Sequence, residues 1–189
     1  MYKTGYFLRK TGRRALSVAG VALLMLAGCS PEPQSKAKGQ ILPNEFGKVA
    51  TQMGVETCAP LVSVLGQTLI ANSAVYSAKL IPDKDNSDKH GLTAIVGQTY
   101  VTNKEQTKGA GALYAAPVNG ACEGMLVRTL LIPKPCADIV QQQLPKGTQR
   151  QDDLAQTAVY AMPEGGYVMM FAATPASCVV TMSMTLRDK

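Results

Sequence analysis

Between residues 43 and 72 the apolar positions recur at helical spacing. In "PNEFGKVATQMG" (43–54), Pro43 and Asn44 offer a plausible N-cap, Phe46, Val49, Ala50 and Met53 fall on one face, and Gly54 can end the run. In "CAPLVSVLGQTLIAN" (58–72), Pro60 suits a first turn and Leu61, Leu65 and Leu69 repeat every four residues, which predicts a buried helix even though Val62 and Val64 also suit a strand. From residue 74 the period shortens to two. Strands are predicted at 74–81, 92–102, 111–118 and 122–132, the last two divided by Asn119-Gly120, where both residues tolerate positive φ. "KPCADIVQQQL" (134–144) predicts a third helix, with Pro135 near its start and Pro145 ending it. Strands follow at 156–162, 166–173 and 178–187. The last has the cleanest alternation, with Val180, Met182, Met184 and Leu186 against Val179, Thr181, Ser183 and Thr185. If that strand lay at a sheet edge it would make a good template for a partner strand.

Two strand blocks, each preceded by a helix, predict an α+β domain. Its expected architecture is an antiparallel sheet of about six to seven strands, with two to three helices packed on one face, stapled by disulfides. No residue-level repeat supports a duplication.

The first 28 residues break this texture. Lys3, Arg9, Lys10, Arg13 and Arg14 precede an apolar run from Ala15 to Ala27 and no acid accompanies them. A bilayer-spanning helix needs about 20 predominantly apolar residues, and this run is too short and too rich in Gly and Ala for one. It ends in Leu26-Ala27-Gly28-Cys29, which resembles the lipobox of bacterial lipoproteins. The resemblance implies that the Cys29 thiol is diacylated and that the chain is cut before it, so residues 1–28 are lost. Acyl chains contribute about 0.8 kcal/mol per buried methylene, so two or three hold a protein durably at a membrane. Ser30 stands where enterobacterial lipoproteins retained in the inner membrane tend to carry Asp. The implied address is the outer membrane, facing the periplasm, with the inner membrane and the cell surface as alternatives.

Composition takes on a different meaning once the leader is set aside. Five of the 19 Lys and Arg residues and none of the 13 Asp and Glu residues precede Cys29, so the remainder carries 14 cations against 13 acids. That balance gives no reason to expect nucleic acid as a partner. Residues 30–40, "SPEPQSKAKGQ", hold no large apolar side chain and read as part of a tether, which gives three regions: a leader (1–28), a lipidated tether (29–42) and a single domain (43–189).

Four cysteines follow the lipid site: Cys58, Cys122, Cys136 and Cys178. Outside the cytoplasm an even number predicts two bridges. The favoured pairings join Cys58 to Cys122 or Cys178, and Cys136 to the other. A Cys122–Cys136 bridge is disfavoured, because about ten extended residues separate the ends of a straight strand by roughly 30 Å. No CxxC spacing supports a redox or zinc centre.

The chemistry candidates are weak. His90, the one histidine, lies in the polar loop "PDKDNSDKHG", and a Ser-His-Asp or Cys-His site would have to use it. The same loop places Asp83, Asp85 and Ser87 at alternating positions like a calcium loop. Asp88, however, occupies the place of the obligatory glycine and Ala94 that of the bidentate Glu. Glu123, Asp138, Asp152, Asp153 and Glu164 read as solvated charge, and a glycosidase would also want aromatic platforms in a chain that has no Trp. No catalytic set, metal site or cofactor is expected. Methionine is the biased residue, with Met125, Met162, Met169, Met170, Met182 and Met184 in the C-terminal half of the domain. Flexible thioethers fill irregular cores, and they also line adaptable apolar grooves, for which Met169, Met182 and Met184 are the candidates.

The expectation is a non-enzymatic lipoprotein, anchored in the membrane through Cys29, that binds an envelope protein as an accessory or assembly component of a surface or secretion machine. Two alternatives share these features: an immunity or inhibitor lipoprotein against a periplasm-acting toxin or hydrolase, and a carrier of lipid or a small apolar ligand.

Overall fold

The computed structural model describes residues 45–102 and 105–188. The expected leader, Cys29 as its expected lipid site, and the expected tether lie outside the described residues. The chain forms α1 (Glu45–Gln52), α2 (Ala59–Ile70), β1 (Val75–Pro82), β2 (Leu92–Thr102), β3 (Glu105–Val118), β4 (Ala121–Ile132), α3 (Cys136–Gln142), β5 (Gln149–Arg150), β6 (Ala158–Ala161), β7 (Tyr167–Thr174) and β8 (Ser177–Arg187). All eight strands join one antiparallel sheet in the order β1-β2-β3-β4-β8-β7-β6-β5.

That order reads as two four-strand meanders meeting at their last strands, β4 and β8. Each meander has its own helix and its own bridge. Cys58, directly before α2, is bonded to Cys122 near the start of β4, with Cα atoms 5.5 Å apart. Cys136, the first residue of α3, is bonded to Cys178 near the start of β8, with Cα atoms 5.0 Å apart. Both cysteines of the strands follow a hairpin turn, so each bridge pins the start of a helix to the same end of its meander.

One condition is settled and two expectations need correction. Strand 178–187 is not an edge: β8 pairs with β4 on one side and β7 on the other, and the edges are β1 and β5. Among the described residues the strands number eight, because Gln149–Arg150 pairs with Ala161 and Tyr160 although its two polar residues carry no periodic signal. The helices are also less uniformly layered than expected. α2 and α3 lie directly on the sheet, whereas α1 packs chiefly against α2 and touches the sheet at β1, where Phe46 stacks on Tyr76 with ring centroids 6.5 Å apart.

The core lies between the sheet and its helices. Leu61, Leu65 and Leu69 of α2 are buried against Leu80, Leu92, Leu113 and Leu126, while Ile139 of α3 joins Tyr160, Val168, Met170 and Cys178 in a second cluster. Met182 packs against both. The leucine repeat settles onto glycines. A Cβ at Gly111 would come 2.5 Å from Leu69 Cδ1, and one at Gly124 would come 2.6 Å from Leu65 Cδ1, so α2 sits closer to β3 and β4 than any side chain there would permit.

At its C-terminal end α2 is tied to the sheet by polar contacts. Gln98, buried within the sheet–helix layer, donates from Nε2 to the Leu69 carbonyl at 2.6 Å, and the Tyr100 hydroxyl donates to Gln98 Oε1 at 2.6 Å. Arg128 reaches the Tyr100 hydroxyl and the Ala71 carbonyl at 3.4 Å each, placing a cation at the negative end of the helix.

Candidate functional site

Alternation in β-strands divides each strand between two faces. The residues in register with Leu113 and Leu126 meet the helices; their neighbours form a second face on which no described helix packs. Across that open face the register sets up rows that run perpendicular to the strands. One row carries Ile95 on β2, Ala112 on β3, Val127 on β4, Ser183 on β8 and Tyr167 on β7, alternating large and small. The adjacent row carries Ser77, Gly97, Ala110, Thr129, Thr181 and Met169, all uncharged and mostly small.

The small row forms the floor of a groove of about 610 Å³ over β1 to β4, bounded by Lys79, Ile95, Ala112 and Val127. Ile95 is 48% exposed and Tyr167 52%, while Tyr114, Met125, Leu131 and Phe171 extend the apolar surface to either side. Its charges are few: Lys79 sits on the edge strand, Lys108 stands exposed on β3 one row from the floor, and Glu123, near the start of β4, pairs with Arg187 at 2.7 Å.

The three methionines proposed as a groove do not share a face. Met169 stands on the open face opposite Thr181, whereas Met182 and Met184 point to the helices and pack in the core, with Met182 Sδ 4.0 Å from the Arg128 guanidinium. Met125, read only as part of the methionine bias, belongs to the open face. One strand signal marks that face: β4 has apolar residues at Met125, Val127 and Leu131 as well as at Leu126 and Leu130, so both of its faces are apolar.

The remaining sequence candidates occupy structural positions. Asp88 accepts hydrogen bonds from the backbone N–H groups of Glu56 (2.8 Å) and Thr57 (2.7 Å) and from the Thr57 hydroxyl (2.8 Å), fastening the β1–β2 loop to the α1–α2 turn. The Thr57 backbone and hydroxyl bonds hold its carboxyl below the ordinary carboxylate range, with Glu56 adding to the effect. His90 is exposed at the end of the same loop, and its backbone N–H donates to the Asn86 carbonyl. Asp153 forms an ion pair with Arg150, whose guanidinium also lies over the Tyr160 ring. Among the described residues no three His, Cys, Asp or Glu side chains converge as metal ligands, and no helix is long and apolar enough to cross a membrane.

Comparison with known proteins finds no family model, no characterised protein and no solved structure that matches this chain.

Proposed function

We propose that this chain is a non-enzymatic lipoprotein of the bacterial envelope, held at the outer membrane through acylated Cys29, and that it acts by binding a protein through the open face of its sheet. The observation that carries the reading is the two-sided apolar character of the sheet. Strands with apolar residues on both faces are typical of sheets covered on both sides, and here the helices cover one. The lipobox-like leader supplies the anchor, and the polar segment 30–40 lets the domain stand off the bilayer. The two disulfides fit an oxidising compartment outside the cytoplasm. An accessory or assembly component of a surface or secretion machine is the role this combination suits best.

The test is photocrosslinking in cells producing the full chain, with a photoreactive residue in place of Ile95 on the open face or of Val64, which is 51% exposed on α2. Protein adducts from position 95 and none from position 64 support the reading. An Ile95 position that yields no protein adduct contradicts it.

A further inference from the structure

We infer that the occupant of the open face is a second copy of this chain, packed sheet against sheet in a two-fold dimer. The inference rests on the reading of that face as a protein-binding surface, and it names the partner. Its first support is area. Six strands (β1, β2, β3, β4, β8 and β7) about 4.8 Å apart, each presenting at least four outward residues about 6.7 Å apart, span on the order of 800 Å². A stable interface needs about 800 Å² per partner, so the face is of the size a dimer requires.

The second support is self-complementarity. A two-fold interface uses the same patch on both copies, so the patch must contain both the projections and the recesses that receive them. Here Ile95, Val127 and Tyr167 project from one row, separated by Ala112 and Ser183, and the adjacent row is floored by Gly97, Ala110 and Thr129. The two rows lie about 7 Å apart, a shift that two sheets stacked about 10 Å apart can adopt to seat one copy's projections on the other's floor.

Charge and connectivity agree with this arrangement. Both rows are uncharged from Ile95 and Gly97 on β2 to Tyr167 and Met169 on β7; Lys79 lies beyond them on edge strand β1 and Lys108 in the next row on β3, each with a long stem that can carry its amine outward to solvent. The described residues begin at Glu45 in α1, on the helix-bearing side where Phe46 meets Tyr76 and away from the open face. Residues 30–40 of that tether carry no large apolar side chain with which to cover the face themselves.

The experiment produces two full-length copies with different affinity tags in one cell, each carrying p-benzoylphenylalanine at Tyr167, and maps the crosslinked peptides after irradiation. The expected product carries both tags, with the crosslink landing on open-face residues of the second copy. Ala110→Glu, which puts a carboxylate of each copy into the floor, is expected to lower its yield by about ten-fold or more. Retention of both disulfides shows that the variant folds, and Thr181→Lys in the same row replaces it should that control fail. Adducts with a different protein overturn the dimer and leave the protein-binding reading standing. Position 167 yielding lipid adducts or none overturns both, and a two-tag product undiminished by the charged variant overturns the sheet-to-sheet geometry.

Discussion

Leu65 of α2 rests on Gly124 of β4 so closely that a Cβ on the glycine would lie 2.6 Å from Leu65 Cδ1 and 2.7 Å from the Tyr114 carbonyl oxygen. The carbonyl belongs to the sheet backbone and cannot step aside. Gly124→Val therefore lifts the helix from the sheet and is expected to destabilise the domain by about 1–3 kcal/mol, the range for overpacked cores. Gly97→Ala is the comparison. Its added carbon meets nothing nearer than the Ser77 hydroxyl at 3.8 Å and lies on the open face, so its midpoint in urea is expected to stay close to that of the wild type.

The bridges Cys58–Cys122 and Cys136–Cys178 span 64 and 42 residues. By loop-closure entropy each contributes about 4 kcal/mol. Replacing either pair with serines is expected to lower the thermal midpoint substantially, and peptide mapping without reductant is expected to recover these two pairs alone. Recovery of Cys58 with Cys178 would contradict the two-meander arrangement.

Asp88 and Thr57 give the fold a sensitivity to acid. Because the Asp88 carboxyl is held below its ordinary value when folded, its contribution to stability is complete above the unfolded pKa of about 3.9 and is lost as pH falls through the folded value. The stability difference between wild type and Asp88→Ala is expected to be constant near neutrality and to shrink below pH ~4. Unfolding curves across that range check it, and a difference that grows on acidification would contradict the assignment.

Cys29→Ala removes the proposed lipid site. The expected outcome is a precursor that keeps residues 1–28 and takes up no labelled palmitate, read by mass spectrometry and metabolic labelling. Normal processing of the variant would contradict the leader's resemblance to a lipobox.

The helices and most strands were legible because their signals are local. The four-residue leucine repeat marked α2, and the alternation of Val180, Met182, Met184 and Leu186 marked a strand with one face in the core. Neighbour relations are not local. The same alternation fitted an edge or a centre, and only the pairing of β8 with both β4 and β7 decides it. The first half of β3, residues 105–110, has no apolar period and extends because β2 offers it a register from Thr102 to Gly97. Gly111, Gly124, Gln98 and Arg128 carried no visible role in the sequence, since each acts through α2, a distant segment. The open face was partly legible. Apolar residues at both parities of "CEGMLVRTLLI" signal a two-sided strand, but a search for one-face alternation passes over them.

The central claim, that the open face is covered in the envelope, is tested most directly by the methionines already on it. Met125 and Met169 lie on that face, while Met53 at the end of α1 is half-buried and lies away from it. Brief oxidation of intact envelopes, followed by mass spectrometry, measures the sulfoxide formed at each thioether. The account predicts that Met125 and Met169 are protected relative to Met53 in the wild type and become reactive in Ala110→Glu. Oxidation of Met125 to the same extent in both would contradict it.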